Sequence, residues 1–221
     1  MFKNYLKIAM RNLVKNRVYS FINIFGLAIG LACFILISTF IRSELNYDKF
    51  HEKADRIYRP VEVQRNPGVG TQDVAVTMGP LAGALMNDFP EIEVAARLWP
   101  MGEIFVKYED KGYYENKVTF ADPEIFDIFT IPVIQGNGKE ILNTPNSIVI
   151  SRSIAGKYFG DENPIGKTLS VQHYWGADDF TIAGIIEDYP QNSHIAFEIL
   201  APFSFMEKQL EWLKSWGTNC L

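Results

Sequence analysis

Residues 18–41, VYSFINIFGLAIGLACFILISTFI, run for 24 positions without a charge. No other feature restricts the fold of this chain so strongly. At 1.5 Å per residue a helix of that length spans about 36 Å, and the hydrocarbon core of a bilayer is about 30 Å thick. The run therefore crosses a membrane with some tilt. A buried helix of a soluble protein is disfavoured at this length. A cleaved signal sequence has an apolar region of only about 7–15 residues before a small-residue cleavage site. The tetrapeptide GLAC, ending at Cys33, is reminiscent of a lipoprotein cleavage site. However, the residue three before the cysteine is Gly30, and eight uncharged residues follow. We read residues 18–41 as a retained transmembrane helix. Gly26 and Gly30 form a G-x-x-x-G pair, with Ala28 and Ala32 as a second small pair. Such a face lets transmembrane helices pack closely.

The run is preceded by MFKNYLKIAMRNLVKNR, residues 1–17, with cations at Lys3, Lys7, Arg11 and Lys15 and then Arg17. A spacing of four makes a slanting basic stripe on a helix. Phe2, Leu6, Met10, Leu13 and Val14 make an apolar stripe on another side. A helix of this kind lies in the membrane surface with its cations toward anionic headgroups. The simpler reading is an unstructured basic leader.

Residues 1–41 hold five cations and no acid, whereas the remainder holds 16 cations and all 26 acids. An acidic body argues against a nucleic-acid partner. Close to the apolar run the N-terminal side has three cations and the far side two, a bias that levels out in a wider window. With the long acidic body translocated largely regardless of charge, the N-terminus is expected in the cytoplasm and residues 46–221 outside.

The body reads as a mixture of short elements. Strands are expected at 57–65, 94–100, 103–109, 113–121 and 130–136. Helices are expected at 79–93 and at 122–129, where Asp122 is a candidate cap and Pro123 the first helical residue. Asp110, Lys111 and Gly112 suit a hairpin turn. This order predicts an α+β sandwich with helices on one face. Residues 147–187 read as a second, smaller, strand-rich unit. Phe120, Phe126 and Phe129 are expected in the core.

GDENPIGKT, residues 160–168, ends like a phosphate-binding loop but has one residue too many between Gly160 and Gly166. Its order is also reversed. SIVIS (147–151) reads as a strand, RSIAGKYF (152–159) as a helix stopped by Gly160, and KTLSVQ as the next strand. Phosphate is held by the N–H groups that open a helix, whereas this loop follows one. Asp161 and Glu162 would repel a polyphosphate. No nucleotide binding is expected.

No catalytic constellation is visible. His51, His173 and His194 have no metal-ligand spacing. Ser193 adjoins His194, but adjacent residues form a nucleophile–base pair with difficulty and no third member is indicated. A polar turn before IAFEILAP (195–202) is the expected role. Cys33 and Cys220 lie far apart in sequence and suggest no disulfide framework.

Several stretches taken together, YLKIAMRNLVKNRVYSFINIFGLAIGLACFILI, YDKFHEKADRIYR, FADPEIFDIFTIPVIQGN, NSIVISRSIAGKYFGDENPIGKTLSV and FTIAGIIEDYPQNSHIAFEIL, resemble the MacB/FtsX-type permeases of ABC transporters. More narrowly, they resemble the first transmembrane helix and the MacB-like periplasmic core domain. The resemblance implies a porter-like part and a smaller strand-rich part outside the bacterial inner membrane. It implies no cofactor and no enzymatic activity here, with ATP hydrolysis in a partner ABC-type ATPase driving export or mechanotransmission. Further permease helices or a second permease copy are expected as partners. Such permeases carry more transmembrane helices after the outer domain, so the chain is expected to be the N-terminal portion of a longer protein. A single-pass, membrane-anchored binding or sensory module is the alternative.

Overall fold

The computed structural model describes residues 2–66, 68, 70–190 and 192–217. Cys220 and the side chain of Phe2 lie outside the described residues. The chain divides into two compact units between Tyr47 and Asp48.

The first unit is helical. α1 spans Phe2–Lys15 and α2 spans Arg17–Leu45. Asn16 separates them with φ −109° and ψ 56°, outside helical geometry. α2 has no buried residue, and Phe21, Leu27, Phe34, Leu36 and Phe40 are all well exposed. A helix apolar on every side needs a covering other than water. Among the described residues α2 is the one helix long and apolar enough to cross a membrane.

The second unit is built on a mixed sheet. β1 (Glu62–Asn66) and β2 (Gly70–Val74) form a separate two-stranded ribbon, followed by α3 (Leu81–Asp88). Then come β3 (Leu98–Pro100), β4 (Ile104–Tyr108), β5 (Lys111–Glu115), β6 (Val118–Ala121) and α4 (Ile125–Ile128). β7 (Val133–Gln135), α5 (Gly138–Leu142), β8 (Ser147–Ser151), α6 (Arg152–Phe159), β9 (Thr168–His173) and β10 (Gly176–Ile186) follow. β11 (Ile199–Pro202) and α7 (Phe203–Gln209) complete the set. The nine-stranded sheet has the order β3-β6-β11-β8-β10-β9-β4-β5, and β7 pairs with β10. β6–β11 and β8–β10 are parallel, and the other pairs are antiparallel.

Strand alternation distributes the core over both faces of this sheet. Ile148 and Ile150 of β8 and Ile199 and Ala201 of β11 point into one cluster, which α6 and α7 cover with Ile154, Tyr158, Phe203 and Met206. Val149 and Leu200 point into a second cluster, which α4 and α5 cover with Ile125, Ile141 and Leu142. The expectation of helices on one face is therefore corrected. Central strands with every residue buried, such as β6, β8 and β11, require a cover on each side. Residues 147–187 do not stand apart either, since β8, β10 and β9 form the middle of the same sheet.

Local differences have local causes. The strand expected at 113–121 is two strands, an edge strand and a buried central one that pair with different partners. Lys111 and Gly112 belong to β5 rather than to the turn, which Glu109 makes with φ +50°. A Cβ at Gly112 would overlap the ring of Phe105, which packs over the glycine. Asp122 does not cap α4; its carboxylate is taken by Arg97.

Gly79 is buried, and a Cβ on it would overlap the backbone carbonyl of Leu213. Gly83, four residues on within α3, has nothing within 4 Å of a Cβ. Gly79→Ala is therefore expected to destabilise the outer unit by about 1–3 kcal/mol through overpacking. Gly83→Ala should stabilise it by about 0.5–1 kcal/mol as a glycine removed from a helix interior. Denaturant titration of the two variants checks this, and equal midpoints would refute the close approach.

Candidate functional site

The sequence-derived membrane residues all belong to the helical unit. Lys3, Lys7, Arg11 and Lys15 lie on α1 and are exposed, and Arg17 opens α2 with its Nε donating to the Val14 carbonyl at 3.2 Å. Gly26 and Gly30 lie on α2, and a Cβ at either would meet nothing within 4 Å.

The phosphate-loop lookalike is occupied by its own chain. α6 precedes it and stops at Gly160, φ +62°. The N–H of Gly166 donates to the Ile182 carbonyl at 2.8 Å and that of Lys167 to the Pro164 carbonyl at 3.0 Å. The Ile165 N–H donates to Asn163 Oδ1 at 3.1 Å. Lys167 is ion-paired with Glu162, which raises the lysine and lowers the carboxyl relative to their ordinary values. These N–H groups make no convergent cradle for a phosphate.

The three histidines are not brought together. His173 is buried, with Nε2 2.8 Å from Asp178 Oδ2 and its ring stacked on Trp175. Among the described residues no group of three His, Cys, Asp or Glu side chains could hold a metal ion.

The remaining two histidines lie in a polar and aromatic cluster at the start of the outer unit. Asp48, its first residue, has φ +55°. Its carboxylate accepts from Ser193 Oγ at 3.0 Å and from the His194 N–H at 2.9 Å, and its Oδ2 lies 2.6 Å from His194 Nδ1. The Asp48 N–H donates to the Asn192 carbonyl at 3.0 Å. Burial pushes the Asp48 carboxyl up, but the bonds from His194 and Ser193 outweigh it and hold it below the usual range. Serine, histidine and aspartate thus meet, but without the order of a catalytic triad. The one proton of the serine hydroxyl is shared between the carboxylate and the Ile195 carbonyl rather than offered to the imidazole. Ser193 and His194 serve the turn before β11, as the sequence suggested, and Asp48 is the member the sequence did not indicate.

Three residues further on, His51 is buried with its Nδ1 accepting from the Thr130 N–H at 3.1 Å. The Glu52 N–H donates to Thr130 Oγ1 at 2.9 Å, and Lys53 Nζ donates to the Asp127 carbonyl at 2.7 Å. His51 packs against Phe50 and Phe129, with ring centroids at 4.0 and 5.1 Å, and Tyr189 bridges Phe50 to Phe197.

Burial lowers the pKa of His51, opposed in part by the charge of Asp48. The folded chain therefore takes up a proton on His51 less readily than the unfolded chain does. The stability this group supports is full above the ordinary histidine value of about 6.5. It is lost as pH falls from there toward the depressed folded value. Protonation also fills Nδ1, the acceptor of the Thr130 N–H. Amide exchange of Thr130, corrected for its intrinsic pH dependence, should accelerate between pH 7.5 and pH 5; unchanged protection would contradict this.

One long apolar helix joined to a separate mixed α/β unit defines a membrane-anchored protein with a folded outer domain. The chain belongs to the family of MacB-like periplasmic core domains, which matches residues 20–218. It is similar to the crystal structure of a domain of a Porphyromonas gingivalis protein described as a permease, at 30% identity and a TM-score of 0.58. That likeness covers 67% of this chain, which spans 66% of the other. Weaker likenesses, both at 16% identity, are to the periplasmic region of MacB from Actinobacillus actinomycetemcomitans and to the extracellular domain of the ABC-type transporter YknZ from Gram-positive bacteria. The first has a TM-score of 0.42 and covers 59% of this chain and 58% of that one. The second has a TM-score of 0.41 and covers 62% and 67%. Curated proteins give no match.

Proposed function

We propose that this chain is the N-terminal portion of an ABC-transporter permease of the MacB/FtsX type. In this reading α2 crosses the bacterial inner membrane, the N-terminus is cytoplasmic and residues 46–221 lie outside. An ABC-type ATPase partner hydrolyses ATP in the cytoplasm, and the outer domain moves in response, for export or mechanotransmission. The chain itself is not an enzyme and takes no cofactor or nucleotide. Lys3, Lys7, Arg11, Lys15 and Arg17 rest on anionic headgroups. Gly26 and Gly30 pack against further permease helices or a second permease copy.

The observation that carries this reading is a family match that begins inside the apolar helix and runs through the outer unit as one continuous stretch. A helix and a domain inherited together suit a machine in which membrane and outer parts act jointly. Cysteines placed at Tyr5 and Glu140 should label from opposite sides of the membrane; labelling of both from one side would refute the topology. Co-purification of the protein with an ABC-type ATPase from its own cells tests the partnership, and absence of any complex would favour a self-contained sensory module.

A further inference from the structure

Chain length limits how a membrane helix can act on the domain it carries. α2 ends at Leu45 and β1 begins at Glu62, so residues 46–61 separate them. Extended, that stretch reaches about 55 Å, and a small displacement of the helix would be absorbed in it. The first residues of the outer unit remove most of this slack. Asp48 is bonded to 192–194, the turn that leads into β11, between β6 and β8 in the sheet. His51, Glu52 and Lys53 are bonded to Asp127 at the end of α4 and to Thr130 in the segment that leads to β7. Phe50 and His51 add ring contacts to Tyr189 and Phe129. Two residues, Asn46 and Tyr47, lie between the helix and Asp48, about 7 Å of chain.

We propose that residues 48–53 are a docking joint, positioned by Asp48 and His51, that delivers displacement of α2 to β11 and β7 instead of letting the linker absorb it. The joint gives the permease reading above its point of force entry and rests on that reading for its purpose. Two attachments on separate loops resist peeling better than one. A pull at Asp48 must break the carboxylate bonds to Ser193 and His194 before it can load the bonds at Thr130. The bonded partners come from segments that enter the sheet, so load taken by the joint passes into hydrogen-bonded strands. Asp48 and His51 touch no reacting group and act only by position.

The test uses the full transporter in lipid nanodiscs, with Cys33 and Cys220 replaced by serine and an environment-sensitive dye on a cysteine at Tyr114, an exposed residue. In Asp48→Ala/His51→Ala, amide exchange at Glu52, Thr130 and His194 should rise about tenfold or more, with β8 and β11 unchanged. The ATP-driven change in dye signal should fall by at least half while ATP hydrolysis continues. A Gly-Ser-Gly-Ser insertion between Asn46 and Tyr47 leaves every bond of the joint intact. It should give the same loss of signal with no change in exchange, and it decides the matter if the double variant unfolds. Full ATP-driven signal in both variants would overturn the proposal, as would unchanged exchange in the double variant. If the parent transporter gives no ATP-driven signal, the permease reading is what fails, and the exchange measurement alone decides whether the joint exists.

Discussion

Phe120→Ala is expected to destabilise the outer unit by about 3–5 kcal/mol, the usual loss for truncating a fully buried aromatic. Phe120 lies in β6, between β3 and β11, and is completely shielded from solvent. Its ring stacks on Phe205 with centroids 6.0 Å apart and meets Phe180 edge-on at 6.2 Å. Truncation would thus leave a void bounded by strands on one side and α7 on the other, where the backbone cannot collapse to fill it. Phe126→Ala is the control. Phe126 is only partly buried and packs over Gly138 at the rim of the second cluster. Its truncation should cost about 1–2 kcal/mol, a fraction of the transfer free energy of a buried phenylalanine. All four tryptophans, Trp99, Trp175, Trp212 and Trp216, lie in the outer unit. Intrinsic fluorescence during urea unfolding of the full chain in detergent therefore reports on that unit alone. Equal losses for the two variants would contradict the placement of the core.

The second large effect is expected at Arg97. Its guanidinium makes two bonds to the Asp122 carboxylate, at 2.8 and 2.9 Å, and a further one to Glu207, and it lies 4.1 Å above the ring of Phe203. The Arg97 N–H also donates to Asp122 Oδ2 at 2.9 Å. Burial would lower the arginine pKa, but the bonds and charges of Asp122 and then Glu207 outweigh it, and the group is held charged. The arginine side chain is 20% exposed and the carboxylates 14% and 26%. Arg97→Ala leaves two shielded carboxylates without their cation, and a loss of about 3 kcal/mol is expected, the low end of the range for breaking a buried pair. Arg97→Lys should recover little of it, because an ammonium group cannot reproduce the forked contact or the ring stacking. If Asp122→Ala in the Arg97→Ala background costs as much as it does alone, the pairing is not what stabilises this corner.

Legibility followed the range of the interactions involved. RSIAGKYF was readable as a helix because its Gly160 stop is a local signal, and the structure adds the start, where the Ser151 side chain accepts from the Ile154 N–H at 3.3 Å. SIVIS was readable as a strand, because five buried residues in a row carry the mark of burial on two faces. The pairing of Asp48 with Ser193 and His194 was not readable, because about 145 residues separate the partners and each is an ordinary loop residue in its own context. Arg97 left a faint trace as a cation inside the strand-like VAARLWP, but its partners Asp122 and Glu207 belong to elements far along the chain. Asp122 looked like a helix cap because aspartate before proline at a helix start usually is one; a guanidinium brought in by the fold bound it more strongly.

The amino-acid sequence by itself determined that a helix long and apolar enough to cross a membrane runs through residues 18–41, that an acidic α+β body follows it, and that residues 160–168 form a helix-to-strand turn. Each of these rests on chemistry within one window: transfer of an uncharged run into hydrocarbon, alternation against a pleat, or a glycine's freedom at a helix end. Only the tertiary structure decided that β3 to β11 form one nine-stranded sheet with helices on both faces, that Ile125 rather than Phe126 is the fully buried residue of α4, and that Asp48 and His51 tie the start of the outer unit to the turns before β11 and β7. These outcomes depend on which of several compatible strands and loops lie side by side. That choice is made by the total area buried and the polar groups satisfied across the whole domain, which no local pattern records.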